Sequence, residues 1–271
     1  MKYRYPFTNS IVFSLVMRNP EICKGLLQRI ISDREIRAVR LHENDPGTEI
    51  TLIASLEAKQ VRLDVLFKDN DAWYDIEMQV AERDDLPKRS RYYHAMMDIE
   101  ELRRGQTYDE LKANYVIFLC CFDPFGKGAG EYRFEMTDPT TGLSCGEERY
   151  TIILNSTAEE DRTPEPLREV FRYMNDAAMK REDSLSGKID AEVRNWNTEE
   201  GERKIMTFEQ ELNIRYKDGL KKGREEGRAE GKEEGRKAGK LETAKTMKGK
   251  DIPVEVIAEC TGLSAEQIEA M

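Results

Sequence analysis

Apolar residues recur at near-helical spacing close to the start of the chain. Ile11, Leu15, Ile22, Leu26 and Ile30 predict helix over residues 9–32. Asn9 or Ser10 suits its N-cap, and Pro20 opens a second segment with Asn19 as cap. Residues 36–42 predict a short strand, ENDPGTE a turn, and residues 50–58 fit helix and strand equally. The period then changes to two in VRLDVLFKDNDAWYDIEMQV, Val61 to Val80. With Asn70-Asp71 as a two-residue hairpin turn, Val61/Val80, Leu63/Met78, Val65/Ile76 and Phe67/Tyr74 oppose each other on an apolar face. The other face then carries Arg62/Gln79, Asp64/Glu77, Leu66/Asp75 and Lys68/Trp73.

Downstream, PKRSRYYHAMMDIEELRRG (87–105) predicts a helix from Pro87 to Gly105. The continuous apolar run NYVIFLCCF (114–122) predicts a central strand buried on both faces. EYRFEMTD and EERYTIILN alternate and predict an antiparallel pair, and PEPLREVFRYMNDA a further helix. This order of elements describes a mixed α/β domain ending near residue 180.

Beyond it the pattern changes. Glycine recurs at 219, 223, 227, 231, 235 and 239 among mixed charges. On a helix a four-residue step drifts by about 40° per repeat, so the glycines wind as a stripe, and Lys/Arg–Glu pairs at i,i+4 support the helix. Two readings stay open: a solvated spacer, or a small-residue stripe for a homo-oligomer. The last segment, DIPVEVIAECTGLSAEQIEAM, predicts two short helices around Thr261-Gly262. Its second helix carries two glutamates and no base, which suits packing or a partner better than a DNA groove. The expected organisation is a domain over 1–180, a charged Gly-repeat helical extension over 181–245, and a small helical hairpin over 246–271.

Composition restricts the chemistry. Of the 271 residues, 39% are hydrophobic and 35% charged, which fits a normal core plus a highly charged segment. The net charge of −10 is not the footprint of a general nucleic-acid binder, so nucleic-acid contact has to rest on local bases and bound cations. Five cysteines without a C-x-x-C pair, and only two histidines, argue against structural zinc and fit a reducing cytoplasm. No apolar run approaches the ~20 residues that span a bilayer, and the first residues make a poor signal peptide. The expectation is a cytoplasmic chain with no membrane partner.

In the hairpin register Asp64 lies across from Glu77, with Cβ atoms about 4.5–5.5 Å apart. Facing carboxylates repel. Either they sit idly on a wet face or they share a divalent cation. Hard oxygen ligands suit magnesium. Gln79, one step beyond Glu77 on the same face, is placed to orient a water.

The stretch LDVLFKDNDAWYDIEMQ resembles the signature of the recombination-promoting nuclease and transposase group of bacteria, within the PD-(D/E)XK nuclease superfamily. The parent pattern is Asp on one strand and acid-x-Lys on the next; in this group Gln commonly replaces the Lys. Here Leu63-Asp64 stands for Pro-Asp, and Glu77-Met78-Gln79 for the second motif. NSIVFSLVMRNPEICKGLLQRII and SRYYHAMMDIEELRRGQTYDELKANYVIFLC resemble the group's opening helices and its helix-then-strand segment, and the Gly-rich charged tail is typical.

The resemblance implies a restriction-endonuclease-like fold: a mixed β-sheet core flanked by helices, with a helical charged C-terminal extension. It implies a Mg2+-dependent (or Mn2+-dependent) DNA endonuclease linked to recombination or mobile elements. Asp64, Glu77 and Gln79 would be catalytic. Asp64, Glu77 and the Met78 backbone carbonyl would hold the metal, with Glu21 as a further acid. Lys88, Arg89, Arg91 and Tyr92, early in the next helix, are placed for phosphate contacts. Asp75 shares the acid face but the motif does not require it, and His94 reads as a packed or surface residue. The alternative is a nuclease fold kept as a scaffold, with the helical tail as its working end.

Overall fold

The computed structural model describes residues 3–36, 39–41, 50–52, 61–63, 65–69, 71–102, 105–178 and 184–270. The described chain divides into two compact units, Met1–Ile205 and Met206–Met271.

In the first unit, α1 (Ser10–Met17) and α2 (Pro20–Ile30) start where the sequence indicates. The Asn9 side chain accepts from the Ile11 and Val12 amides, and Asn19 from those of Glu21 and Ile22, satisfying backbone donors that a helix start leaves open. The strands follow as β1 (Arg40–Leu41), β2 (Ile50–Leu52), β3 (Val61–Leu63), β4 (Val65–Lys68) and β5 (Ala72–Gln79). Next come α3 (Leu86–Glu101), β6 (Ala113–Cys120), β7 (Glu131–Phe134), β8 (Arg149–Asn155), α4 (Arg168–Asn175) and α5 (Ser184–Trp196).

Six strands form one mixed sheet in the order β1-β4-β5-β6-β8-β7. The β4–β5 pairing keeps the expected register: Val65↔Ile76, Leu66↔Asp75, Phe67↔Tyr74 and Lys68↔Trp73. The apolar run becomes β6, all eight of its residues buried, parallel to both β5 and β8. The pair β7–β8 is antiparallel, as its alternation predicts.

One expectation about the hairpin is corrected. Residues 61–63 do not extend β4 along β5. They pair with β2 in a separate two-stranded sheet, Leu63 against Ile50, Arg62 against Thr51 and Val61 against Leu52. Alternation fixes which side chains share a face, not which strand supplies the hydrogen bonds. Of the two settings left open for the acids, the wet face is not the one β5 presents, with Asp75 and Glu77 buried. Because β5 and β6 are parallel, the connection between them must cross the sheet, and α3 makes that crossing. Tyr93, Met96 and Met97 of α3 pack there on Leu66, Trp73, Val116, Phe118 and Ile153.

On the helical side, α1, α2, α4 and α5 pack on one another, and α1 touches β5. The first unit therefore runs past the residue-180 limit read from the sequence. α5 buries Leu185, Ile189 and Val193, and its Asp190 accepts from Tyr3 (2.7 Å) and Tyr173 (3.2 Å).

The helix α6 (Glu199–Lys248) runs for 50 residues through the glycine repeat. In the second unit α7 (Val254–Thr261) and α8 (Ala265–Glu269) fold back on its end, with Ala244, Ile257 and Ile268 as a small buried cluster. Gly262 makes the turn with φ 68°, a left-handed cap that favours glycine.

Candidate active site

Strand β5 places Trp73, Asp75, Glu77 and Gln79 on one face by alternation, beneath α3. Asp75 is 0% and Glu77 4% exposed, while Gln79 at the strand end is half-buried. Met78, between the motif residues, points its side chain to the opposite, apolar face. Asp64 lies outside the described residues, as does Asn70 of the expected turn.

What meets Glu77 and Gln79 is Arg89, on the first turn of α3. Its Nη2 donates to Glu77 Oε2 at 3.0 Å and its Nη1 to Gln79 Oε1 at 2.7 Å. Tyr93, one helical turn on, accepts from Arg89 Nη2 (3.0 Å) and Nε (3.3 Å). The guanidinium also lies 5.4 Å from the Tyr93 ring centre and 5.3 Å from that of Phe118 on β6. The far end of Gln79 is anchored too, Nε2 donating to the Ala81 carbonyl at 3.2 Å. The Gln79 amide is thus shared between Arg89 and backbone, whereas the sequence placed it to orient a water.

The side chain of Arg89 is only 19% exposed. Burial works against its charge, but the bond to Tyr93 and the Glu77 and Asp85 carboxylates hold its pKa above the ordinary arginine range. Burial, then the Glu77 charge, raise the Tyr93 phenol. Removing one member of a buried ion pair leaves the other uncompensated, a cost of about 3–5 kcal/mol.

The remaining sequence-predicted residues separate. Lys88 and Arg91 are exposed on α3 and Tyr92 is half-buried against the core, so of the expected basic group only Arg89 turns inward. Glu21 is placed with α5 rather than with Glu77. It is 73% exposed, 3.7 Å from Lys188 Nζ, beside a cleft of about 290 Å³ that Lys24, Gln28 and Arg29 also line. Among the described residues no group of three or more His, Cys, Asp or Glu is arranged to hold a metal ion.

Of the two settings read for His94, packed or surface, it takes the packed one, inside a polar network that the sequence did not reveal. Its Nδ1 lies 2.7 Å from Asn114 Oδ1 and its Nε2 3.0 Å from Thr151 Oγ1. Asn114 Nδ2 donates to Asp98 (2.9 Å), and Thr151 shares a hydrogen bond with Ser90. Burial pushes the His94 pKa down to about 4.

The partnership of Arg89 with the acid motif was the other feature missed. Its one signal in the sequence is Arg89-x-x-x-Tyr93, an i,i+4 pair at the start of the helix that follows the acid strand.

Compared with known proteins, residues 9–142 match the family model described as PD-(D/E)XK nuclease family transposase. The match spans α1 through β7 and includes Asp64, Glu77, Gln79 and Arg89. No curated protein and no solved structure matches the chain.

Proposed function

Segment 9–142 of this chain belongs to the PD-(D/E)XK nuclease family of transposases, and from that premise we propose that the protein is a divalent-metal-dependent DNA endonuclease acting at Asp64, Glu77 and Gln79. The observation that carries the reading is the buried Glu77 carboxylate, two residues from Gln79 on one strand face, inside the matched segment. A buried carboxylate needs a positive partner or a ligand, and such sites cluster where chemistry is done.

The donors fit a hard cation. Glu77 offers carboxylate oxygen, and Asp64 directly precedes Val65, which pairs with Ile76. The hairpin register read from the sequence sets Asp64 across from Glu77. These two acids, with the Met78 carbonyl, would hold magnesium or manganese. When bound, the ion supplies charge for the phosphate oxygens and an acidified water. The chain's own residues do the rest. α3 shields the site from bulk water, the Arg89 fork fixes the carboxylate and amide, and exposed Lys88 and Arg91 flank it for the DNA backbone.

One observation favours the scaffold reading instead: Arg89 already neutralises Glu77. A plasmid-nicking assay in Mg2+ and in Mn2+ separates the two. The full chain is expected to nick, and Asp64→Ala and Glu77→Ala each to lose at least about 100-fold in rate, the scale of deleting one transition-state stabiliser. Cleavage that survives both substitutions, or no cleavage with either ion, leaves the scaffold.

A further inference from the structure

The parent PD-(D/E)XK pattern ends in a lysine, and position 79 of this chain is Gln, which carries no charge. The structure supplies a cation there from another element. We infer that Arg89 is the positioning residue of the Glu77–Gln79 pair and carries the positive charge that the motif lysine would have provided. This rests on the nuclease reading above.

Three features separate this from an incidental ion pair. First, the guanidinium grips two different motif side chains with two different nitrogens, Nη2 on Glu77 and Nη1 on Gln79. An arginine that only balanced the buried acid would have no need of the amide. Second, the fork is held from behind. Tyr93 accepts from Nη2 and Nε, and the Tyr93 and Phe118 rings lie against the guanidinium. Such a cation is preorganised and needs little reorientation when charge develops beside it. Third, the polarity of Gln79 is fixed by its bonds. Its oxygen faces Arg89 and its nitrogen the Ala81 carbonyl, so the amide acts as an acceptor that steers a cation. A lysine at 79 would put its ammonium on the same face, where Arg89 now places its guanidinium. Gln79 and Arg89 together then replace one residue by two, one on the strand and one on the helix.

The test uses the full chain, Mn2+ affinity by isothermal titration, and plasmid nicking. Arg89→Gln is expected to nick at least about 100-fold more slowly while binding Mn2+ no more weakly than the unaltered protein, since a positive charge beside the acids has been removed. Adding Gln79→Lys to Arg89→Gln is expected to restore cleavage to within about tenfold of the original rate. Arg89→Lys, which keeps the charge but loses the fork, is expected to fall between, and it serves if Arg89→Gln does not fold.

A merely structural arginine predicts otherwise: Mn2+ affinity and cleavage fall together in Arg89→Gln, and the second-site lysine rescues neither. That result overturns the inference, as does an Arg89→Gln protein that cleaves at the original rate. Those outcomes need an active parent. A parent that neither binds Mn2+ nor cleaves removes the nuclease reading itself, and this inference with it.

Discussion

At the scale of single residues, His94 shows how burial turns a titratable group into a stability term. The ring is enclosed by Asn114 and Thr151, and its pKa is pushed down to about 4, while in the unfolded chain it titrates near 6.5. Between those values the unfolded state binds more protons, so stability is full above about pH 6.5 and declines as the pH falls toward 4. At about 1.4 kcal/mol per unit the loss approaches ~3 kcal/mol. Urea unfolding of the native chain and of His94→Gln across this range should show the decline in the first and a much flatter profile in the second. Asp98, whose carboxyl burial raises, contributes with the opposite sign at lower pH. It is common to both proteins and largely drops out of their difference. The residue types at the candidate site were legible beforehand, because an acid pair within an alternating strand is conspicuous. The partnership of Arg89 was not. It is joined to Glu77 across twelve positions of chain, and only the packing of α3 on β5 brings them together.

Among the elements, the repeat glycines of α6 and Gly201 near its start behave differently. At Gly223, Gly227, Gly231, Gly235 and Gly239 an added Cβ would meet nothing within 4 Å. Each glycine there only weakens the helix, so replacement by alanine should gain about 1 kcal/mol per site. Circular dichroism melting of a variant with all five alanines should show a more stable helix, with sedimentation behaviour unchanged if the repeat is a solvated spacer. A loss of association would instead reveal the small-residue stripe as an interface. Gly201 is the contrast. A Cβ there would lie 2.6 Å from the Trp196 carbonyl oxygen and 2.7 Å from that of Asn195, so Gly201→Ala must shift backbone and should lower the melting temperature. The sequence marks both kinds of glycine identically; only the turn between α5 and α6 tells them apart. The hairpin gives the same lesson. Its β4–β5 register followed from apolar alternation, while residues 61–63 went to β2, a partner that local pattern does not name.

For the whole molecule, the consequence lies in where the first unit ends. α5 is separate from the charged extension in its packing, with Leu185, Ile189 and Val193 buried against the helical layer. Three such side chains contribute about 5 kcal/mol or more, a large share of the ~5–15 kcal/mol that holds a domain folded. A fragment of residues 1–205 should unfold cooperatively in denaturant, whereas one of residues 1–180 should be poorly soluble or lack a sharp transition. The sequence by itself determined a helix start at Asn9 or Ser10 and another at Asn19, the buried β6, the four-pair register of β4 with β5, and the acid and amide of the motif. Each of these is written in local periodicity or side-chain chemistry that a neighbour a few residues away can read. The tertiary structure alone decided that β5 and β6 run parallel, that α3 therefore closes over the acids, and that Arg89 thereby meets Glu77 and Gln79. Those outcomes depend on contacts between distant segments, which hydrophobic periodicity constrains only by demanding that some apolar surface be covered, not by which element.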